Sequence, residues 1–97
     1  MSKQSHTPGP WYRDGTTVYA LNPQNFNRFS AQIHGAHTPK SELEAVAQLM
    51  QAAPELLEAL EYAANRLNSC LILLECDDDF IAKETAQARA AIAKATA

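Results

Sequence analysis

The amino-acid sequence predicts an α+β fold, a three-stranded antiparallel β-meander followed by a short helix and an antiparallel pair of longer helices. The first third of the chain is rich in β-branched and aromatic residues and contains Asp14-Gly15, a strong hairpin signal. From Leu43 onward apolar residues recur at helical spacing, and the longest such segment is AAPELLEALEYAANRLNSCLILL, residues 52–74. We expect this segment to be the spine of the helical part.

The strands are predicted from the turn-forming residues between them and from the alternation of apolar and polar side chains. Pro8-Gly9-Pro10 disfavours helix, and Asn22-Pro23-Gln24-Asn25 has the composition of a turn. Apolar and polar residues alternate most clearly in the third strand. The predicted strands cover residues 11–13, 16–21 and 26–34.

The first helix is predicted from a capping box, in which Ser41 is the N-cap and the side chain of Glu44, at position N3, accepts a hydrogen bond from the Ser41 amide. The helix runs to about Gln51, and Pro54 ends it and opens the second helix. Asp78 or Asp79 is expected to cap the third helix, at about residues 80–96. The expected buried stripes are Leu43, Val46, Ala47 and Met50 in the first helix; Leu56, Leu60, Ala63, Leu67 and Leu74, widened by Leu57, Ala64 and Leu71, in the second; and Ile81, Thr85, Ala88, Ile92 and Ala95 in the third.

Length and composition favour a single domain over residues 1–97, with 1–7 flexible, a β region at 8–35 and a helical region at 41–96. A net charge of −3 argues against nucleic acid as a partner, because phosphate backbones require a basic face. The N-terminus has no apolar signal segment, and the apolar run 70–74 is too short to cross a bilayer. We therefore expect a cytoplasmic protein with no DNA and no membrane partner. Cys70 and Cys76 are expected to be reduced thiols.

No residue pattern indicates catalysis. His34 and His37 lie close together in the sequence, and His6 is the remaining histidine. The His34–His37 pair has no third ligand at a fixed spacing, so a metal site is not expected. Asp77-Asp78-Asp79 lacks the alternating ligands of a calcium loop. The sequence offers no nucleophile with a base and no glycine-rich phosphate loop. We expect a protein that is not an enzyme and uses no cofactor or metal.

The polar face of the third strand is the candidate binding site. Arg28, Ser30, Gln32 and His34 alternate with Phe29, Ala31 and Ile33, so the polar set projects from one face. Arginine with aromatic residues can hold a phosphate and stack a base. A plain solvated sheet face is the alternative interpretation, since such faces are normal in antiparallel sheets. The candidate ligand-binding residues are Arg28, Arg13, Gln32, His34, Trp11 and Tyr12, with Tyr19 nearby.

Three segments carry a resemblance to known proteins. HTPGPW at residues 6–11, AAPELLEAL at 52–60 and AIAKAT at 91–96 resemble a group of small phage and prophage accessory proteins. The resemblance covers the chain from near its start to its end. One departure is AVAQLMQ at residues 45–51, where the group more often has NARLIA. That difference puts in doubt any role that the usual Asn and Arg have there.

The resemblance implies a phage origin and an accessory role. Proteins of this size in phages often act by binding. The hypothesis is a non-catalytic protein that counters host defence as an oligomeric sponge for a nucleotide-derived immune signal. The homo-oligomer would form through the alanine-rich helices. The alternative is a protein–protein inhibitor of a host defence or regulatory protein that uses its acidic helical surface.

Overall fold

The computed structural model of the protein describes residues 6–96. The chain divides into two compact units, Met1–Glu55 and Leu56–Ala97. The expectation of a single domain stays a prediction. Residues 1–5, most of the segment expected to be flexible, lie outside the described residues.

The first unit contains a three-stranded antiparallel sheet, as predicted. Its strands are β1 (Tyr12–Asp14), β2 (Thr17–Leu21) and β3 (Asn27–Gln32), and their spatial order is β1-β2-β3. Gly15 has a φ of 61° in the turn between β1 and β2, where a side chain would be strained. β3 is shorter than the predicted strand at both ends, although the Ile33 amide still donates to the Thr16 carbonyl at 2.9 Å.

The turn between β2 and β3 is organised by Asn22. Its side-chain Oδ1 accepts hydrogen bonds from the amides of Gln24 and Phe26, both at 3.0 Å. Asn25 adopts a φ of 66°, a conformation that asparagine tolerates better than most residues. The register then shifts beside Ala20 and Leu21, which produces a bulge at the start of β3.

The sheet packs one face against α1 (Lys40–Gln51). Val18, Ala20 and Ala47 are the buried apolar residues of this layer. The expected stripe of α1 is correct except for Val46, which is 42% exposed. Leu43, Ala47 and Met50 form the half-buried and buried side of α1.

The predicted capping box of α1 is wrong. The helix begins two residues earlier than expected, with Pro39 instead of Ser41 at the N-cap position and no side-chain cap. The Pro39 carbonyl accepts the amides of Glu42 and Leu43, at 3.0 and 3.2 Å, so the first helical bonds form upstream of Ser41. Ser41 therefore lies inside the first turn, where its hydroxyl cannot cap.

The segment from His6 to Trp11 is held to the sheet by the Trp11 ring. The ring lies edge-on to Phe29, with centroids 5.1 Å apart, and its Nε1 donates to the Thr7 carbonyl at 3.0 Å. Gly9 lies against buried Pro54, so that a Cβ at Gly9 would come within 2.9 Å of the Pro54 Cβ. The HTPGPW and AAPELLEAL segments thus meet in the first unit, where their glycine and proline have a packing role.

The second unit contains most of α2 (Ala53–Leu73) and all of α3 (Asp78–Thr96). Arg89 of α3 donates to the Asn68 side chain at 3.2 Å, which places the two helices side by side. Glu75 ends α2 with a φ of 61°, and the amides of Glu75 and Cys76 donate to the carbonyls of Ile72 and Leu71. This is a Schellman motif, with glutamate where glycine is usual.

Asp77, rather than Asp78 or Asp79, caps α3. Its Oδ1 accepts the Phe80 amide at 2.8 Å, and its carbonyl accepts the Ile81 amide at 3.1 Å. The prediction chose the wrong member of the acidic run, because the Schellman motif ends α2 early enough for the first aspartate to be the cap.

The predicted buried stripe of α2 is wrong in most of its members. Leu56, Ala63, Leu67 and Leu74 are exposed, and of the main stripe only Leu60 is half-buried. The half-buried side is instead the one that was expected only to widen the stripe, Leu57, Ala64 and Leu71. In α3, Ile81 and Thr85 are buried and Ala88 and Ile92 half-buried as predicted, but Ala95 is exposed.

Candidate functional site

The sheet has a second face, opposite α1, that carries several of the predicted site residues. The register aligns Tyr12 with Tyr19 and Tyr19 with Ser30, so these three side chains form a row across the sheet. The two tyrosine rings are 5.6 Å apart and tilted by 31°. Tyr12 is 42% exposed and Ser30 is exposed. We call Tyr12, Tyr19, Arg28, Ser30 and Gln32 the open face.

Two further polar side chains flank this row. Gln32 is aligned with Thr17, which in turn is aligned with Asp14. Arg28 lies in the bulge, since Ala20 is paired with Phe29 and Leu21 with Asn27. Arg28 is exposed and, among residues 6–96, has no hydrogen bond or ion pair. An arginine on the same sheet face as two contacting aromatic rings can bind a phosphate or carboxylate.

Arg13 lies on the opposite side of the sheet from Arg28. It is aligned with buried Val18, and its Nε donates to the Gln48 side chain at 2.8 Å. Its Nη1 donates to the Gly15 carbonyl at 2.8 Å and is 3.9 Å from a Glu44 carboxylate oxygen. These bonds tie β1 to α1, so the structure does not bring Arg13 together with the open face.

Trp11 is also separated from the open face. Its half-buried ring contacts Phe29 and lies 6.3 Å from the His6 ring, centroid to centroid. Phe29 is aligned with buried Ala20, so this aromatic cluster belongs to the side of the sheet that faces α1. The six predicted site residues are thus divided, and only Tyr12, Arg28 and Gln32 lie on the open face.

His34 lines a cleft beside the open face. The cleft has a volume of about 480 Å³ and lies between the end of β3 and the start of α1. Gln32 contributes to both the open face and the cleft, whereas Lys40 and Leu43 place the cleft on the side of the sheet that α1 covers. The sequence prediction missed Lys40 here, although a lysine just after the loop that follows a strand was a usable signal. The lining residues are Thr16, Gln32, Ile33, His34, Gly35, Ala36, Lys40 and Leu43.

The other residues considered for chemistry are placed as follows. Within residues 6–96, no three His, Cys, Asp or Glu side chains are arranged to hold a metal ion. His6 donates through Nδ1 to the Thr7 carbonyl at 2.9 Å, and its buried Nε2 has no polar partner in the described part of the chain. Cys70 is exposed and Cys76 half-buried, both as free thiols.

None of the helices described in residues 6–96 has the length and apolar character needed to cross a membrane.

Comparison with protein families gives a match to the family model of Salmonella phage P22 protein Y8K6 over residues 1–97. The chain belongs to this family. The predicted membership of a phage protein family is thereby confirmed, and the match carries no statement of activity. Comparisons with curated proteins and with solved structures gave no match.

Proposed function

We propose that this phage protein is a non-catalytic binding protein that counters host defence by sequestering a nucleotide-derived immune signal. The proposal rests on the open face, which carries the pair of tyrosine rings and Arg28, an arginine without a hydrogen bond or ion pair among residues 6–96. Sequestration needs tight binding only, and the sequence offers no nucleophile with an adjacent base. In the sharpest form of the proposal the protein is an oligomeric sponge.

Each group on the open face matches a part of a nucleotide. A base can stack on the exposed ring of Tyr12, and stacking of this kind contributes about 1–3 kcal/mol per base. Arg28 can form a bidentate contact with a phosphate, and Ser30 and Gln32 supply donors and acceptors for the base edge. Because the rings and Arg28 lie on one face, a single ligand can contact both.

The cleft at the end of β3 shares Gln32 with the open face and supplies a second cation. Lys40 and His34 line it together with Gln32. The cleft volume of about 480 Å³ lies within the range of about 300–1,000 Å³ for small-molecule sites. Asp14 beside Thr17 and the net charge of −3 disfavour long polyphosphates and nucleic-acid strands. We therefore favour a compact ligand with one or two phosphates, such as a cyclic dinucleotide or an ADP-ribose derivative.

The test is isothermal titration calorimetry of the purified chain with cyclic dinucleotides and ADP-ribose-type nucleotides. We expect Arg28→Ala to weaken binding of the retained nucleotide at least about tenfold, which corresponds to about 1.4 kcal/mol. Arg66→Ala is the matched control, since Arg66 lies over the Tyr62 ring of α2 at 5.3 Å. Mass spectrometry should recover the nucleotide intact.

Two results would count against this proposal. If no nucleotide of the panel binds, the open face is a solvated sheet face. If Arg28→Ala and Arg66→Ala have the same effect, binding is not specific to the open face.

A host protein is the second candidate ligand, and the exposed residues of α2 favour it. Glu55 and Glu58 are exposed on the same helix as exposed Leu56. Such an acidic surface can match a basic patch on a host defence or regulatory protein, and charge complementarity speeds and orients association. A pull-down from host lysate with the wild-type chain and a Glu55→Lys, Glu58→Lys variant tests this. A stoichiometric host protein lost with the variant supports inhibition, and capture of no protein contradicts it.

A further inference from the structure

α2 has a second apolar stripe beside the half-buried one. Its spacing alternates between four and three residues, which is the heptad pattern of a coiled coil. The Leu74 amide donates to the Cys70 carbonyl at 3.0 Å, so the helical pattern continues to that residue. The second stripe consists of Leu56, Leu60, Ala63, Leu67, Cys70 and Leu74.

Most of the second stripe is exposed. Leu56 is 52% exposed, Leu67 41% and Leu74 74%, while Ala63 and Cys70 are also exposed. Single exposed leucines are ordinary, but a continuous uncharged row over five helical turns is not. A monomer would leave this row in water.

The second unit by itself buries little. Among residues 56–96 only Ile81 and Thr85 fall in the buried class. A helix of a two-helix hairpin needs one apolar stripe, whereas a helix of a four-helix bundle needs a wider one that faces two neighbours. The two stripes of α2 share Leu60 and together have the width that a bundle requires.

We propose that a second copy of this chain docks on the second stripe, so that two α2–α3 hairpins form a four-helix bundle. A second copy supplies the two helices that the hairpin lacks. The uncharged heptad row can pack on a symmetry-related copy, as isologous interfaces require. Exposed Ala91 and Ala95 of α3 leave room for a close helix–helix approach. The inference specifies the oligomer of the proposed function, and it does not require a nucleotide to bind.

Exposed apolar side chains on and next to the second stripe supply more than half of the apolar area that a dimer interface needs. Leu73 and Phe80, near the turn, are 82% and 44% exposed. A fully buried leucine removes on the order of 100 Å² of apolar surface from water. The exposed fractions of Leu56, Leu67, Leu73, Leu74 and Phe80 then provide about 300 Å² per copy. One side of a standard homodimer interface contains about 500 Å² of apolar area, and Ala63, Cys70 and the α3 alanines supply part of the remainder.

Sedimentation equilibrium of the full chain without nucleotide tests the proposal. We expect a dimer in the micromolar range, and we expect Leu74→Gln and Leu67→Gln each to raise its dissociation constant at least about tenfold. Leu74 is 74% exposed, so its substitution leaves the hairpin intact, which far-UV circular dichroism verifies. Leu49→Gln is the matched control, because Leu49 is 64% exposed on α1.

Three results would overturn the inference: a wild-type chain that remains monomeric, a dimer that neither stripe variant weakens, or equal weakening by Leu49→Gln. A monomer would direct the search to a host protein as the occupant. Failure here is separable from failure of nucleotide binding, since the calorimetry reports on Arg28 and the sedimentation on Leu67 and Leu74.

Discussion

Replacement of Arg13 by alanine distinguishes a structural arginine from a ligand-binding one. Arg13 joins β1 to α1 through its bond to Gln48, and it also holds the β1–β2 turn through the Gly15 carbonyl. Arg28 makes no such bond among the described residues. We therefore expect Arg13→Ala to lower the free energy of unfolding and Arg28→Ala to leave it almost unchanged.

The expected loss in the free energy of unfolding for Arg13→Ala is estimated from the number and exposure of the bonds that Arg13 makes. Each of the two hydrogen bonds at 2.8 Å contributes about 0.5–1.5 kcal/mol net. The contact with Glu44 is long, at 3.9 Å, and its partners' side chains are 29% and 42% exposed, so we assign it less than about 0.5 kcal/mol. The expected loss for Arg13→Ala is about 1–3 kcal/mol.

The assay is urea denaturation monitored by tryptophan fluorescence. Trp11 is the sole tryptophan and contacts Phe29 in the same unit as Arg13, so its emission reports on the relevant sheet. We expect a lower midpoint at unchanged slope for Arg13→Ala. For Arg28→Ala we expect a change within about 0.5 kcal/mol, as for other surface substitutions.

Two outcomes would refute this reasoning. Wild-type stability in Arg13→Ala would mean that its bonds to Gln48 and Gly15 contribute nothing net. An equal loss in Arg28→Ala would mean that Arg28 also supports the fold. Added salt provides a further check. Most of the loss should persist at high ionic strength, because it comes from hydrogen bonds to uncharged groups.

Three further predictions, which use four substitutions, test the loop and cap geometry. Asp77→Ala should lower the free energy of unfolding by about 1 kcal/mol, because the Asp77 side chain caps α3. Asp78→Ala should lower it by less than about 0.5 kcal/mol. Thermal unfolding monitored by circular dichroism compares the two variants. Glu75→Gly should stabilise the second unit by about 1 kcal/mol in the same assay, because glycine relieves the positive φ. Gly9→Ala should lower stability by about 1–3 kcal/mol, measured by Trp11 fluorescence, because its Cβ would meet the Pro54 ring. Unchanged stability in Asp77→Ala, Glu75→Gly or Gly9→Ala would contradict the local geometry from which that prediction was made.

The β region was largely predictable from sequence. Asp14-Gly15 located the first turn, and alternation from Arg28 to Gln32 assigned the exposed and packed faces of β3 correctly. These features depend on turn chemistry and a two-residue period, both of which are local. The same reasoning grouped Arg13 with Arg28, because it could not tell which side of the neighbouring strand β1 would present.

The helices were predicted well as elements and less well as surfaces. Pro54 marked the junction between α1 and α2 to within one residue. The α2 sequence contains two leucine rows of helical spacing, and the periodicity alone could not identify the one that would be half-buried. The bond between Asn68 and Arg89 shows which side of α2 is turned toward α3.

The sequence by itself determined the kind and order of the elements, the alternation of each strand and the resemblance to phage proteins. Only the tertiary structure decided that Arg13 serves the fold, that Asp77 is the cap of α3, and that His34 and Lys40 line one cleft. The physical reason is that residue spacing places side chains relative to one another on a single element. Which of those side chains become buried or bonded depends on the direction from which the next element packs.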